Sequence, residues 1–108
     1  MNAPVTPHDL DALLVAHIGR GRGIGAKSIA ARLGCTERQV REFITALRMD
    51  GRGICGTPET GYYIAATQEE MDETLAFLRA RAMHSLVLEA RMTRTALQDL
   101  IGQLRLPT

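Results

Sequence analysis

The fold is decided by residues 26–50, AKSIAARLGCTERQVREFITALRMD. Helical spacing puts three apolar side chains of its first part on one face, namely Ile29, Ala30 and Leu33. Gly34 suits the left-handed conformation that ends a helix, and Thr36 with Gln39 matches the capping box that begins one. The second helix has an apolar face made of Val40, Phe43, Ile44 and Leu47. The segment therefore predicts two helices joined by a tight turn, the second reaching about Asp50.

Upstream of this pair, Thr6 and Pro7 predict the start of another helix, because Pro is tolerated at the first helical position. Its apolar face consists of Leu10, Leu13, Leu14 and Ile18, and Gly19 is predicted to end it. The following GRGRGIG, residues 19–25, is expected to be a connection that ends in a short strand at Ile24. We expect this strand to pair with a hairpin further along the chain.

That hairpin is predicted by two short runs, RGICG and GYYIA, which flank the turn TPET at residues 57–60. Thr67 and Glu70 then form a second capping box, and no Pro or Gly follows before Gly102. One helix of about 35 residues is therefore expected. The predicted fold class is α+β, mainly α, with three helices and a β-hairpin in residues 1–66 and a long C-terminal helix in residues 67–108.

The two-helix segment resembles the helix-turn-helix family. Within residues 26–45, Ala30, Gly34 and Val40 stand at the fifth, ninth and fifteenth places. The small side chain of Ala30 lets the two helices approach each other closely, Gly34 permits the turn, and the β-branched Val40 closes the inner face of the pair. With the hairpin as a wing, the chain resembles a winged helix-turn-helix domain, of the type found at the N-terminus of biotin-repressor-type regulators and in small phage DNA-binding proteins.

The resemblance implies which residues contact duplex DNA. Helix 36–50 would be the recognition helix and would face the major groove with Arg38, Gln39, Arg41, Glu42 and Thr45, after Thr36 at its cap. The phosphate-contacting positions would be Lys27, Ser28, Arg48 and Arg52, and the wing would approach the backbone through Thr57 and Thr60. The alternative is that these side chains form ordinary solvated helix faces.

Charge is distributed unevenly along a chain whose formal net charge is only +1. Residues 20–52 contain eight Lys or Arg against three Asp or Glu, a local balance of +5, so the rest of the chain carries −4. The wing turn, however, holds Glu59 and no cation. The basic segment favours a duplex-DNA-binding protein, a small transcriptional regulator or phage accessory factor. The acidic wing favours a protein-interaction module of the same fold, such as a phage inhibitor or adaptor on a host complex.

Other classes of function are not expected from this sequence. Residues 21–28 lack only one glycine of a phosphate-binding loop, because Ala26 stands before Lys27, but a helix rather than a buried strand precedes them. The three histidines are scattered, and Cys35 and Cys55 have no metal-ligand spacing and are expected to be small buried residues. We therefore expect no enzyme, no cofactor and no metal site. No apolar run is long enough for a membrane span, which favours a cytoplasmic protein.

The long helix predicts self-association. At 1.5 Å per residue, 35 helical residues span about 52 Å, whereas a body of about 66 residues is roughly 28 Å across. Apolar residues continue past that length, and those assigned to a homodimer contact are Leu86, Leu97, Leu100, Ile101 and Leu104. The alternative is a helix that breaks near Met92 and folds back on its own domain.

Overall fold

The computed structural model describes residues 4–94. Its helices are α1 (Pro7–Leu14), α2 (Ala26–Leu33), α3 (Glu37–Met49) and α4 (Gln68–Met92), with a single 3-10 turn at Arg20–Arg22. Its strands are β1 (Ile54–Thr57) and β2 (Gly61–Ile64), which pair antiparallel. The predicted class is confirmed at this level, since the chain is mainly helical with a small antiparallel sheet and a long helix after it.

The turn between α2 and α3 forms as predicted. Gly34 has φ +73° and its N–H donates to the carbonyl of Ala30 at 2.9 Å. The Gln39 N–H donates to Thr36 Oγ1 at 3.0 Å, and the Thr36 N–H donates to Gln39 Oε1 at 3.0 Å. The cap thus satisfies two backbone donors that would otherwise be unpaired, so α3 begins at a defined residue.

The main core lies between α1, α2, α3 and the hairpin. Its buried members are Leu10, Leu14, Ile24, Ile29, Ala30, Val40, Ile44, Leu47 and Ile54. Leu33 was expected among them but is only partly buried against this cluster. Of the two cysteines expected to be buried, Cys55 is, whereas Cys35 in the turn is half-exposed.

The first helix is shorter than predicted. α1 ends at Leu14, so the expectation that it would run through Ile18 to Gly19 is wrong. The backbone there pairs with β2 instead, because the Ile64 N–H donates to the His17 carbonyl and the Gly19 N–H to the Ile64 carbonyl, both at 2.8 Å. Ile18 is therefore 48% exposed.

The connection before α2 pairs with the same strand. Ile24 and Tyr62 exchange two backbone hydrogen bonds, of 2.8 and 2.9 Å, so the predicted pairing of Ile24 with the hairpin is present, as a single isolated bridge rather than a strand. The approach is close: a Cβ at Gly23 would lie 1.9 Å from the carbonyl oxygen of Thr60. Glycine at position 23 is therefore required by this pairing.

The first two turns of α4 pack with the hairpin. Thr74 is buried and its hydroxyl accepts the Gly56 N–H at 3.3 Å, while the Cys55 thiol lies 3.6 Å from the Glu70 carbonyl oxygen. The chain accordingly divides into two compact units between Leu75 and Ala76. The first unit reaches nine residues past the predicted 1–66 and includes Glu70 and Thr74, which form these contacts with the hairpin.

The start of α4 departs from a simple capping box. The Glu70 N–H donates to Thr67 Oγ1 at 3.2 Å, as predicted. The Glu70 carboxylate does not return to Thr67 but accepts the N–H of Ala66 at 2.9 Å and that of Arg20 at 3.1 Å. These two donors lower the pKa of Glu70, the Ala66 bond being the larger cause.

α4 is continuous from Gln68 to Met92. Its predicted course beyond residue 94 lies outside the described residues. The same is true of four of the five side chains assigned to a dimer contact: Leu97, Leu100, Ile101 and Leu104. The fifth, Leu86, is 60% exposed.

Candidate nucleic-acid interface

α3 presents a polar face opposite its core-packed side. Val40, Ile44 and Leu47 are buried and Phe43 packs partly against the core, so the opposite side of the helix is turned outward. The Arg38 side chain is 86% exposed and that of Arg41 is 59% exposed. The other predicted groove-facing residues, Gln39, Glu42 and Thr45, are exposed as well. The five side chains therefore share one accessible surface, which we call the α3 face.

Both arginines of the α3 face have an acidic neighbour one turn away. Arg38 Nε lies 3.3 Å from Glu42 Oε1, and Arg41 Nη1 lies 4.0 Å from Glu37 Oε1. Exposed pairs at this spacing are worth only about 0.3–0.5 kcal/mol. Either arginine can therefore exchange its acid for a stronger acceptor at small cost, although the two arginines and their two paired acids, Glu37 and Glu42, together carry no net charge.

Gln39 and Thr36 are engaged by the cap. The amide oxygen of Gln39 accepts the Thr36 N–H, and the Thr36 hydroxyl accepts the Gln39 N–H. Reading a purine edge with both ends of an amide requires that oxygen to be free. While the cap is formed, Gln39 keeps only its amide nitrogen for a base, so Arg38 and Arg41 are the better candidates.

The first turn of α2 is an accessible cationic end. Lys27 and Ser28 are exposed, and Gly25 caps the helix without a side-chain hydrogen bond. The first N–H groups of a helix lack partners within it and attract anions. Lys27 therefore stands beside backbone donors that a phosphate could use.

Two predicted phosphate contacts, Arg48 and Arg52, are bound to other elements of the first unit. The half-buried Arg48 donates from Nε to the Ile54 carbonyl at 2.8 Å and lies 5.9 Å from the centre of the Tyr62 ring. Its Nη2 is buried without a partner among residues 4–94, and burial lowers the pKa of its guanidinium. Arg52 lies 2.9 Å from Asp11 Oδ1. Arg48 thus joins α3 to the hairpin, and Arg52 joins the segment after α3 to α1.

The two threonines that were predicted to approach DNA, Thr57 and Thr60, close the hairpin turn. The Thr57 N–H donates to Thr60 Oγ1 at 2.9 Å, and the Thr60 N–H donates to Thr57 Oγ1 at 3.2 Å. Both hydroxyls are therefore used within the turn and both residues are half-buried. Glu59 is the exposed charged residue at the tip, so the accessible chemistry of the wing is acidic.

Arg20, one of the eight cations of the basic segment, is bound to α4. Its guanidinium pairs with the Glu73 carboxylate, and hydrogen bonds with Tyr63 and Glu73 raise its pKa. Arg22, Lys27 and Arg32 are exposed, and within the described part of the chain none of them forms an ion pair. Arg32 was not among the predicted contacts, yet the absence of an acid three or four residues away marks it in the sequence.

Other kinds of site are not found in residues 4–94. No group of three or more His, Cys, Asp or Glu side chains there could hold a metal ion. Over the same range, no helix has the length and apolar character to cross a membrane.

Comparison with protein-family models, with curated proteins and with solved structures finds no match to this chain. The argument for function therefore rests on the α3 face and the cations around it.

Proposed function

We propose that the protein binds duplex DNA and that its first unit is a winged helix-turn-helix domain with α3 as the recognition helix. The observation that carries this proposal is the α3 face, where Arg38, Arg41 and Thr45 are exposed on a helix whose other side is core. An α-helix fits the major groove, and arginine there binds guanine in two places at once. The protein would act as a small cytoplasmic transcriptional regulator or phage accessory factor.

The arrangement of elements supports this proposal. α2, the Gly34 turn and α3 follow one another in the order of a helix-turn-helix, and β1 and β2 follow as a wing. An isolated bridge from Ile24 to Tyr62 ties the connection before α2 to the hairpin. Residues from all these elements bury one another in a single core, so α3 is held rigidly for docking.

We propose a separate role for each group of contacts, according to its surroundings. Arg38 and Arg41 would read bases, while Arg22, Lys27, Ser28 and Arg32 would hold phosphates. Arg48 and Arg52 would act indirectly by positioning α3. Thr57 and Thr60 would shape the wing rather than touch DNA.

Duplex binding that weakens with salt is the expected result. Each neutralised phosphate contributes about 0.9 to the steepness with which log K falls as log salt rises, so Arg22, Lys27 and Arg32 alone predict a slope of about 3 in magnitude.

Arg41→Ala should reduce the free energy of DNA binding by roughly 1–3 kcal/mol and relax sequence preference, whereas Lys27→Ala should weaken binding to all sequences about equally. Fluorescence anisotropy titrations with a selected duplex and with a duplex of mixed sequence measure the salt dependence and the effects of the two variants.

The matched control for these variants is Arg81→Ala, which removes one cation from the second unit and should leave DNA affinity unchanged. Absence of duplex binding by the unaltered protein at 50 mM salt, a low ionic strength for such contacts, would overturn the proposal.

The second candidate is a protein-interaction module, favoured by the acidic wing tip, by the pairing of Arg38 and Arg41 with acids of the same helix, and by Met49, which is exposed at the end of α3. The substitution Glu59→Lys distinguishes the DNA-binding proposal from the protein-interaction module. If the wing lies near the DNA backbone, the reversal should strengthen duplex binding by about two- to tenfold with little change in stability. Unchanged affinity in the anisotropy titration would show that the wing stays away from DNA.

A further inference from the structure

Glu42 lies at the centre of the α3 face. Each residue of an α-helix is turned by about 100° from the one before it, so positions three, four and seven apart lie along one side. Arg38, Glu42 and Thr45 are related in this way, and they lie opposite the buried Val40 and Leu47. The Glu42 side chain is 62% exposed. Any ligand that covers the α3 face must therefore also cover this carboxylate.

The helix itself gains little from Glu42. Its ion pair with Arg38 is exposed, and an arginine one turn before the glutamate is the weaker of the two orders for such a pair on a helix. Glu42 also lies in the second turn of α3, beyond the first turn, where an acid such as Glu37 stabilises the positive end of a helix. The carboxylate of Glu42 therefore has its main opportunity for a strong interaction in a ligand of the α3 face.

The major groove of DNA offers a carboxylate few partners. A carboxylate only accepts hydrogen bonds, and most base edges in the groove are acceptors too: N7 and O6 of guanine, N7 of adenine and O4 of thymine. The donors are the N6 amino group of adenine and the N4 amino group of cytosine. In adenine the N7 acceptor lies beside the amino group and repels the second carboxylate oxygen, whereas cytosine has no acceptor at that place. Cytosine is therefore the base that Glu42 fits best.

Arg38 fixes where that cytosine must lie. Its guanidinium only donates hydrogen bonds, so it fits the O6 and N7 acceptors of guanine. Arg38 and Glu42 are four residues apart, which is about 6 Å along the helix axis, and successive base pairs are about 3.4 Å apart. The two side chains can thus reach bases that are one or two pairs apart. Where no such cytosine is present, Glu42 meets acceptors and phosphates without a partner, at a cost in affinity.

We propose that Glu42 determines the sequence specificity of the α3 face by accepting the N4 amino group of a cytosine, one or two base pairs from a guanine that Arg38 binds. The same carboxylate weakens binding to duplexes that lack this arrangement, because its charge then remains unpaired in the groove. The inference rests on the proposed duplex-DNA binding and names the class of sequence bound, which is a duplex with guanine and cytosine at neighbouring or next-neighbouring pairs.

The first test uses the unaltered full-length protein and a chemically altered duplex. In a duplex selected from a randomised pool, each cytosine that lies one or two pairs from a guanine is replaced in turn by N4-methylcytosine. This base keeps its pairing and carries a methyl group in place of the amino hydrogen that faces the major groove. At one such position, anisotropy titration should show an affinity lower by roughly tenfold or more.

The same replacement at a cytosine elsewhere in the duplex is the control, and it should change affinity by less than about twofold because phosphate contacts do not read the base. A selected duplex without cytosine at the predicted distance from a guanine, or an affinity that no single replacement lowers, overturns the inference.

The second test uses Glu42→Ala, with Glu37→Ala as the matched control because it removes the same charge from the same helix outside the α3 face. Glu42→Ala should bind a duplex of mixed sequence about three- to tenfold more tightly and should no longer respond to N4-methylation. Glu37→Ala should keep the full response. Circular dichroism of both variants checks that α3 is intact. Equal responses of the two variants to the altered duplex overturn the inference.

Failure of this inference is distinct from failure of the proposed function. Duplex binding that does not depend on the cytosine amino group overturns only the role of Glu42. Absence of duplex binding by the unaltered protein at about 50 mM salt overturns DNA binding itself, and the role of Glu42 with it.

Discussion

Ile44→Ala is expected to destabilise the first unit by about 2–5 kcal/mol, because it empties a fully enclosed site in the main core. Ile44 is 1% exposed and belongs to the cluster formed by α1, α2, α3 and the hairpin. The removed methyl and methylene groups lose their contacts, and the surrounding helices relax only partly into the space. A domain of this size has about 5–15 kcal/mol of stability in total, so the loss is large.

The measurement is urea unfolding followed by circular dichroism, with Thr45→Ala as the matched control. Thr45 is the next residue of α3 and is exposed, although its hydroxyl donates to the Arg41 carbonyl at 3.1 Å. Its replacement should change stability by no more than about 0.5 kcal/mol. A loss below 1 kcal/mol for Ile44→Ala would contradict the position of α3 in the core, since a cavity there costs at least about 2 kcal/mol.

The second large effect concerns where the first unit ends. A chain cut after Ala66, the boundary predicted from sequence, should be roughly 3–5 kcal/mol less stable than a chain cut after Leu75, because apolar burial and a buried hydrogen bond are lost. The shorter chain lacks Thr74, which accepts the Gly56 N–H, and Glu70, which accepts the N–H groups of Ala66 and Arg20. It also uncovers the buried Cys55.

Denaturant unfolding of the two shortened chains side by side measures this difference. The chain ending at Leu75 serves as the control, because it lacks the second unit just as the shorter one does. Equal unfolding midpoints would mean that the first two turns of α4 do not stabilise the hairpin.

Much of the local structure could be predicted from residues close in sequence. The Thr36 and Gln39 cap, the left-handed Gly34 and the buried Val40, Ile44 and Leu47 all appear as expected, because capping, positive φ and helical periodicity are local properties. The end of α1 could not be predicted in this way. Ile18 keeps the helical spacing, yet hydrogen bonds of its neighbours with Ile64, 46 residues later, take the backbone out of the helix.

The candidate site likewise has features that local sequence predicts and features that depend on partners from other elements. Composition and helical spacing were sufficient to place Arg38, Arg41, Glu42 and Thr45 on one exposed face. They could not show that Arg48 lies over Tyr62 or that Arg52 pairs with Asp11, since these partners come from other elements. The local net charge of +5 in residues 20–52 therefore overstates the number of cations that are available to bind a phosphate.

The sequence by itself determined α2, α3 and the turn between them, the hairpin, the class of the fold and the outward face of α3, because each depends on residues that lie close together in the chain. Only the tertiary structure decided which arginines are available, where α1 stops and how far the first unit reaches into α4. Those outcomes depend on contacts such as Arg20 with Glu73 and Gly56 with Thr74, between residues far apart in the chain. Side-chain charge is a property of the residue, whereas its availability to a ligand is a property of its neighbours in space.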